Sequence, residues 1–293
     1  MTTLLDGKTL SKTIQSELAE EVKVLKDQGI QPGLAVILVG DDPASQVYVG
    51  SKRKTCEKLG ILSKASILPA STSQDELMAI VDQYNSDPEI HGILCQLPLP
   101  AHLDEQQVIE AIAPSKDVDC FHPENVGRVL IGMPRFLPCT PHGIVQLIKR
   151  TGIETTGKHT VILGRSDIVG KPLAAMMLQK DSGENMGCNS TVTVCHSATK
   201  NLEELCREAD ILVAAIGKPE FVKGHMVKEG AVVIDVGINR IDADNEKGYR
   251  LVGDVDFEEV KPRCQAITPV PGGVGPMTIA MLMYNTVSSA RLS

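Results

Sequence analysis

The stretch HTVILGRSDIVGKP (159–172) decides the fold class, because an apolar strand runs directly into a glycine-containing turn and then a helix. The run VIL is typical of a short, buried strand. Gly164 permits the tight turn, and Pro172 suits a first helical turn, where its missing N–H would have no partner. Amides at the start of such a helix can face the phosphates of a nucleotide.

This turn departs from the dinucleotide-binding pattern GxGxxG, since Ser166 occupies the second glycine position. An ordinary strand-to-helix turn therefore stays open as an alternative. The next predicted strand, TVTVC, is followed by His196 and Ser197, whereas an NAD site usually places an acid there. Arg165 and Ser197 suit a 2′-phosphate, which favours NADP, although both are also compatible with solvated loop residues.

Strands alternate with helices on both sides of this turn, which predicts βαβ units and mostly parallel sheets. We predict two α/β domains, the first at 1–148 and joined by a C-terminal helix at about 275–293, the second at 149–274. Predicted strands lie at 33–40, 65–69, 92–98, 159–164, 191–195, 210–217 and 231–237. Predicted helices lie at 8–28, 43–59, 74–84, 104–112, 141–151, from about 170, and at 275–289.

The composition of the 293 residues fits this class: 42% are hydrophobic, 23% are charged, and only 3% are aromatic, with no Trp. Aliphatic cores suit parallel strands covered by helices. A net charge of −8 without a basic stripe argues against a nucleic-acid partner. No apolar run approaches the roughly 18 residues of a membrane span, and Asp6 and Lys8 interrupt any signal peptide. We expect a cytoplasmic protein without a membrane partner.

The eight cysteines lie scattered, with no CxxC pair and no zinc spacing. We expect buried, reduced thiols and no metal site.

Candidate site residues of the first half are ambiguous when taken singly. Tyr48 and Lys52 stand at i and i+4, on one face of a helix, yet on spacing alone Lys52 reads as a solvated lysine. The pair resembles that of short-chain dehydrogenases but precedes the glycine turn, which excludes that family. Gln96, at the end of an apolar strand, has either a structural hydrogen bond or a chemical task. Asp119 alone reads as a cap or turn residue.

The stretch TPVPGGVGPMT (268–278) is more specific. Its prolines hold the backbone extended and its glycines allow close approach of a ligand, so a ligand-facing loop accounts for it better than a plain turn.

The motif order YVGSK, QLPLP, KDVD, GRSDIVGKP, DVGIN and PVPGGVGPMT resembles the methylenetetrahydrofolate dehydrogenase/cyclohydrolase family over essentially the whole chain. The resemblance implies two α/β domains with a cleft between them, the second a Rossmann-like parallel-sheet NADP-binding domain. It implies NADP-dependent oxidation of 5,10-methylenetetrahydrofolate, then hydrolysis of the methenyl product to 10-formyltetrahydrofolate. It also implies a homodimer.

The resemblance further assigns roles. Lys52 is the acid–base group, Tyr48 stacks on the folate, Gln96 bonds Lys52 and helps to lower its pKa, and Asp119 fixes the pterin. Pro271, Gly272 and Gly273 line the substrate site. The NADP-binding residues implied are Gly164, Arg165, Ser166, Ser197 and Ile238.

Two departures from the family pattern stand out: Cys120 where glycine is more usual, and a long connection at 181–190. A basic island suits a polyglutamate tail on the substrate; it comprises Lys52, Arg53, Lys54, Lys58 and Lys64. Two other classes stay open, an NADP dehydrogenase of the shikimate or amino-acid type and a nucleotide-sensing binding protein.

Overall fold

The computed structural model describes residues 2–181, 187–245 and 248–293, so 182–186 of the predicted long connection lie outside the described residues. The chain forms two compact units. The Lys52 unit comprises Lys12–Cys139 and Ile279–Ser293. The glycine-loop unit comprises the N-terminal residues up to Ser11 and Thr140–Thr278.

The described strands, in chain order, are β1 (Thr3–Leu4), β2 (Gly33–Val39), β3 (Leu62–Leu68), β4 (Gly92–Cys95), β5 (His159–Leu163), β6 (Thr191–Cys195), β7 (Ile211–Ala214), β8 (Val232–Asp235), β9 (Asn239–Asp242), β10 (Tyr249–Val252) and β11 (Ala266–Ile267). The described α-helices are α1 (Gly7–Asp27), α2 (Pro43–Leu59), α3 (Gln74–Ser86), α4 (Glu105–Ala111), α5 (Pro123–Leu130), α6 (Cys139–Arg150), α7 (Gly170–Leu178), α8 (Leu202–Glu208), α9 (Phe257–Val260) and α10 (Val274–Leu292).

The Lys52 unit contains a parallel sheet in the order β3-β2-β4. Every residue of the central strand β2 is buried, as its unbroken apolar run predicts. The strand predicted at 92–98 was too long. It ends at Cys95, because after Gln96 the chain turns into Leu97–Pro98, where proline has no N–H for a strand partner.

The glycine-loop unit contains a second parallel sheet in the order β1-β11-β8-β7-β5-β6, beside the antiparallel hairpin β9-β10. The predicted fold class, two α/β domains with a parallel sheet in the second, is confirmed. The strand predicted at 210–217 ends at Ala214, because the amides of Ile216 and Gly217 bond to the Asp254 carboxylate instead of a neighbouring strand.

Several elements were not predicted. The strands β1 and β11 have two residues each, too few to show a period, and their pairing joins residues 1–11 to the glycine-loop unit. Helix α5 lies between the helices predicted at 104–112 and 141–151, and it begins where His122 Nδ1 accepts from the Glu124 amide. The predicted domain bounds at 148/149 and 274/275 stay a prediction.

All eight cysteines are buried and form no disulfide, as expected. None of the helices in the described residues is long and apolar enough to cross a membrane. Among those residues, no cluster of three or more His, Cys, Asp or Glu side chains could hold a metal ion.

Candidate active site

Helix α2 presents Tyr48 and Lys52 one turn apart, and both of its ends are well defined. The Asp42 carboxylate accepts from the Ser45 amide at 2.7 Å and caps the first turn. Gly60 ends the helix in the left-handed region, with φ +73°. Tyr48 is 38% exposed, whereas Lys52 is only 8% exposed. The interpretation of Lys52 as a solvated helix lysine is therefore wrong.

The Lys52 ammonium donates to Gln96 Oε1 at 2.9 Å. Gln96 lies just past β4, with its backbone amide bonded to Ile37 O. Its Nε2 donates to Leu97 O at 2.8 Å, which fixes the amide oxygen toward Lys52. An oxygen acceptor stabilises the charged ammonium. Gln96 thus orients Lys52 but does not lower its pKa, contrary to the expectation from the sequence.

Burial, and not Gln96, lowers the pKa of Lys52, because removal from water penalises the ammonium. The negative charge of Asp119 opposes this shift and favours the protonated form. Burial in turn raises the pKa of the half-buried Asp119 carboxyl, while the charge of Lys52 lowers it. Lys52, Gln96 and Asp119 therefore form one electrostatic cluster in the Lys52 unit.

The loop that carries Asp119 is held by a second carboxylate that the sequence analysis missed. Asp117 is 3% exposed and accepts from the amides of Phe121 at 3.1 Å and His122 at 2.9 Å. The side-chain amide of Asn125 also donates to it at 2.8 Å. Burial raises the pKa of Asp117 to about 6. The motif KDVD contains two acids, and the resemblance gives a role only to Asp119. The second acid, Asp117, was therefore the sign in the sequence that another carboxylate has a task in this loop.

The same loop is braced by Asn285 on α10. The buried side-chain amide of Asn285 donates to Val118 O at 2.7 Å and to Leu137 O at 2.8 Å. The thiol of Cys139 also donates to Val118 O, at 3.4 Å. A polar residue inside the apolar run MLMYNTV was the signal in the sequence. Asn285 therefore fixes the backbone immediately before Asp119.

In the glycine-loop unit, the turn after β5 is closely packed. Gly164 has φ +119°, and a Cβ on it would overlap Ala215 O, while a Cβ on Gly170 would overlap Gly164 O. Ser166 Oγ accepts from the amides of Val169 and Gly170 and so caps the start of α7. Arg165 is exposed beside it. This turn offers the close backbone approach and helix amino end that a nucleotide phosphate requires.

The remaining predicted binding residues lie in the same unit. Ser197 is exposed just past β6, and Ile238, 44% exposed, lies between β8 and β9. In the Pro271–Gly273 loop, Gly272 has φ +114° and its carbonyl accepts from the Lys8 amide at 2.9 Å. A Cβ on Gly275, in the first turn of α10, would lie 3.4 Å from Ile238 Cδ1, so the start of the helix that follows this loop adjoins the Ile238 loop.

Comparison with known families matches both halves of the chain. Residues 5–119 match the tetrahydrofolate dehydrogenase/cyclohydrolase catalytic domain, and residues 138–293 match the NAD(P)-binding domain of the same family. The chain belongs to the tetrahydrofolate dehydrogenase/cyclohydrolase family. The resemblance stated from the motifs is thereby confirmed, and the shikimate-type dehydrogenase and nucleotide-sensor alternatives are set aside.

Individual relatives align with this chain over nearly its full length. The bifunctional protein FolD of Acetivibrio thermocellus is 57% identical over 289 residues, 99% of this chain and 97% of the relative. The Campylobacter jejuni FolD methylenetetrahydrofolate dehydrogenase/cyclohydrolase structure has 51% identity and a TM-score of 0.92, covering 100% of this chain and 99% of that one. The Trypanosoma brucei FolD structure, complexed with NADP and an inhibitor, has 41% identity and a TM-score of 0.92, covering 99% and 98%.

Proposed function

We propose that this chain oxidises 5,10-methylenetetrahydrofolate with NADP⁺ and hydrolyses the resulting 5,10-methenyltetrahydrofolate to 10-formyltetrahydrofolate. The observation that carries the proposal is a buried lysine, held by an amide oxygen and facing a carboxylate, in a chain of this family. The methenyl group is already a cation, so its hydrolysis requires a proton acceptor for the attacking water.

Lys52 is proposed as that acceptor. An amine accepts a proton only when it is neutral, and burial moves the pKa of Lys52 down in that direction. A cationic substrate beside the amine would lower the pKa further, because like charges disfavour the ammonium. Gln96 keeps Nζ in place through its fixed amide oxygen. Asp119 is proposed to hold the pterin, and the partly exposed ring of Tyr48 to stack on it.

The glycine-loop unit is proposed to hold the dinucleotide. NADP⁺ supplies a hydride acceptor when bound, and this chain supplies binding and orientation. Gly164 and Ser166 would approach the phosphates, and Arg165 with Ser197 would select the 2′-phosphate of NADP over NAD. Ile238 is proposed to line the cofactor site and Pro271–Gly273 the substrate site; Gly275, two residues past this loop, lies beside Ile238.

Three finer points are proposals from the family resemblance and the composition: a homodimer, a cytoplasmic location and binding of polyglutamylated folates. The basic island proposed for the glutamate tail is smaller in the structure. Lys52 is buried, and Lys64 pairs with Asp87 at 2.7 Å and Glu89 at 2.9 Å. The exposed Arg53, Lys54 and Lys58 are therefore the residues proposed to meet the tail.

The absorbance of methenyltetrahydrofolate tests the proposal in two reactions, methylenetetrahydrofolate with NADP⁺ or NAD⁺, and methenyltetrahydrofolate alone. We expect formation in the first, faster with NADP⁺, and decay in the second. Lys52→Met should lower hydrolysis at least a hundredfold and leave the Kd for NADP⁺ within twofold, because the lysine lies outside the glycine-loop unit. Lys12→Met, on an exposed lysine of α1, is the control. Parental hydrolysis by Lys52→Met would refute the role of the lysine, and inactivity of the parental chain in both reactions would refute the function.

A further inference from the structure

Two buried carboxylates lie at the carboxyl ends of the parallel strands in the glycine-loop unit, outside the Lys52 cluster. Asp235 is the last residue of β8 and is 4% exposed, and Asp254, soon after β10, is completely buried. Buried carboxylates are costly unless hydrogen bonds satisfy them. In open α/β sheets, ligands bind outside this edge of the sheet.

Asp254 joins two loops. Its Oδ2 accepts from the amides of Ile216 at 2.7 Å and Gly217 at 2.9 Å, in the loop after β7. Its Oδ1 accepts from Asn239 Nδ2 at 2.9 Å, at the start of β9. One side chain thus fixes the backbone at the ends of two successive strand–loop connections.

Asp235 holds the second of these loops and also the backbone of Asp254 itself. Its carboxylate accepts from the amides of Gly237 at 3.1 Å, Asp254 at 2.8 Å and Val255 at 3.0 Å. Neither of the glycines packed against the pair could carry a side chain. A Cβ on Gly237 would overlap the Asp254 carboxylate, and a Cβ on Gly253 would overlap that of Asp235.

The loops held in this way carry residues proposed to bind the cofactor. Ile238 lies between Gly237, whose amide donates to Asp235, and Asn239, whose side chain donates to Asp254. Ala215, whose carbonyl packs against Gly164, directly precedes the two amides that donate to Asp254. The two carboxylates therefore act on both Gly164 and Ile238 through the backbone.

We propose that Asp254 and Asp235 are positioning residues for the dehydrogenase reaction, holding the Ala215–Gly217 and Gly237–Asn239 loops in the shape that receives NADP⁺. This inference rests on the proposed function. It assigns the carboxylates no contact with substrate or cofactor, and it gives them no part in the hydrolysis at Lys52.

The test measures the Kd for NADP⁺ by calorimetry and the rate of methenyltetrahydrofolate hydrolysis on the same preparations. Asp254→Ala leaves the amides of Ile216 and Gly217 without their acceptor, so we expect the Kd to rise at least tenfold and hydrolysis to stay within twofold. Asp210→Ala is the control, because the Asp210 carboxylate accepts from the amide of His159, the first residue of β5, at the amino ends of the same parallel strands. Its Kd should stay within twofold of the parental value.

A double variant that moves the negative charge from residue 254 to residue 239 tests whether the hydrogen bonds of Asp254 matter or only its charge. In Asp254→Asn with Asn239→Asp, one amide oxygen still accepts from residues 216 and 217, and the new Nδ2 donates to the new carboxylate. This double variant should recover a Kd within threefold of the parental value, whereas Asp254→Asn alone should bind more weakly. It also keeps the test decisive if Asp254→Ala does not fold.

A parental Kd in both Asp254→Ala and Asp254→Asn would overturn the positioning role, as would an equal loss of NADP⁺ affinity and hydrolysis in Asp254→Asn. A parental chain that hydrolyses methenyltetrahydrofolate but has no affinity for NADP⁺ would refute the proposed dehydrogenase function itself, which distinguishes the two failures.

Discussion

Replacing Asn285 by alanine would remove the brace behind Asp119 without touching a proposed catalytic group. The substitution deletes the donor for one buried and one partly buried carbonyl, at 2.7 Å to Val118 O and 2.8 Å to Leu137 O. Val118 O keeps the Cys139 thiol as a weaker partner at 3.4 Å, whereas Leu137 O loses its bond from Asn285. We therefore expect the carbonyls to attract water or to shift, and the Asp119 loop to move with them.

The magnitude follows from the two lost bonds. An unsatisfied buried polar group costs about 1–3 kcal/mol, so two carbonyls, one of them partly satisfied, should cost about 2–4 kcal/mol. For a chain of 293 residues, that loss lowers Tm by roughly 3–7 °C. Hydrolysis of methenyltetrahydrofolate at 25 °C should fall about tenfold in kcat/KM, equivalent to about 1.4 kcal/mol, because Asp119 is no longer held in place.

Ser289→Ala is a matched control on the same helix. The Ser289 hydroxyl also lies within hydrogen-bond distance of two carbonyls, His91 O at 2.7 Å and Ser115 O at 3.0 Å, and its single hydrogen is shared between them, but Ser289 lies one turn further along α10. Urea unfolding should show a stability loss for both variants, whereas kcat/KM should fall only for Asn285→Ala. Equal activity losses in the two variants would contradict the positioning of Asp119, and an unchanged Tm for Asn285→Ala would contradict the hydrogen-bond reasoning.

Two further predictions concern stability. Burial raises the pKa of Asp235 to about 7, above the value of 3.8 that an exposed aspartate has in the unfolded chain. As pH rises from about 4 to 7, the unfolded state loses this proton before the folded state does. The free energy of unfolding therefore falls over that range. Urea unfolding across that range should show that the free energy of unfolding of Asp235→Asn falls less steeply with pH than that of the parental chain, by at most about 1.4 kcal/mol per pH unit. The same slope in both proteins would refute the raised pKa of Asp235. Cys120 is left-handed at φ +63°, so Cys120→Gly should be more stable than Cys120→Ala by about 1 kcal/mol, and the reverse order would show that the backbone is unstrained there.

Much of the fold follows from local patterns. The apolar run of β2 predicted a strand buried on both faces, and all seven residues are buried. The bounds predicted for α2 at 43–59 match the structure, because a cap and a proline mark its start and a glycine marks its end. The motif order predicted the family, which the comparison confirms over both halves of the chain. These features depend on residues close together in sequence.

The chemistry of the site depended on tertiary structure. The spacing of Tyr48 and Lys52 placed them on one helix face, but only packing makes Lys52 buried and lowers its pKa. The sequence placed Gln96 at a strand end, and only the structure shows that its amide oxygen is fixed toward the lysine, where it orients Nζ and does not lower the pKa of Lys52.

By itself, the sequence determined the βα alternation and the glycine turn, because periodicity and turn chemistry are local, and the resemblance of its motifs to a known family implied the candidate residues. Only the tertiary structure decided which groups support them. Asn285 reaches Val118 across 167 positions, and Asp235 accepts from an amide 19 positions away. Buried carbonyls, amides and carboxylates must form hydrogen bonds, and their partners are the groups that tertiary packing places next to them. The spacing of residues along the sequence does not predict which groups these are.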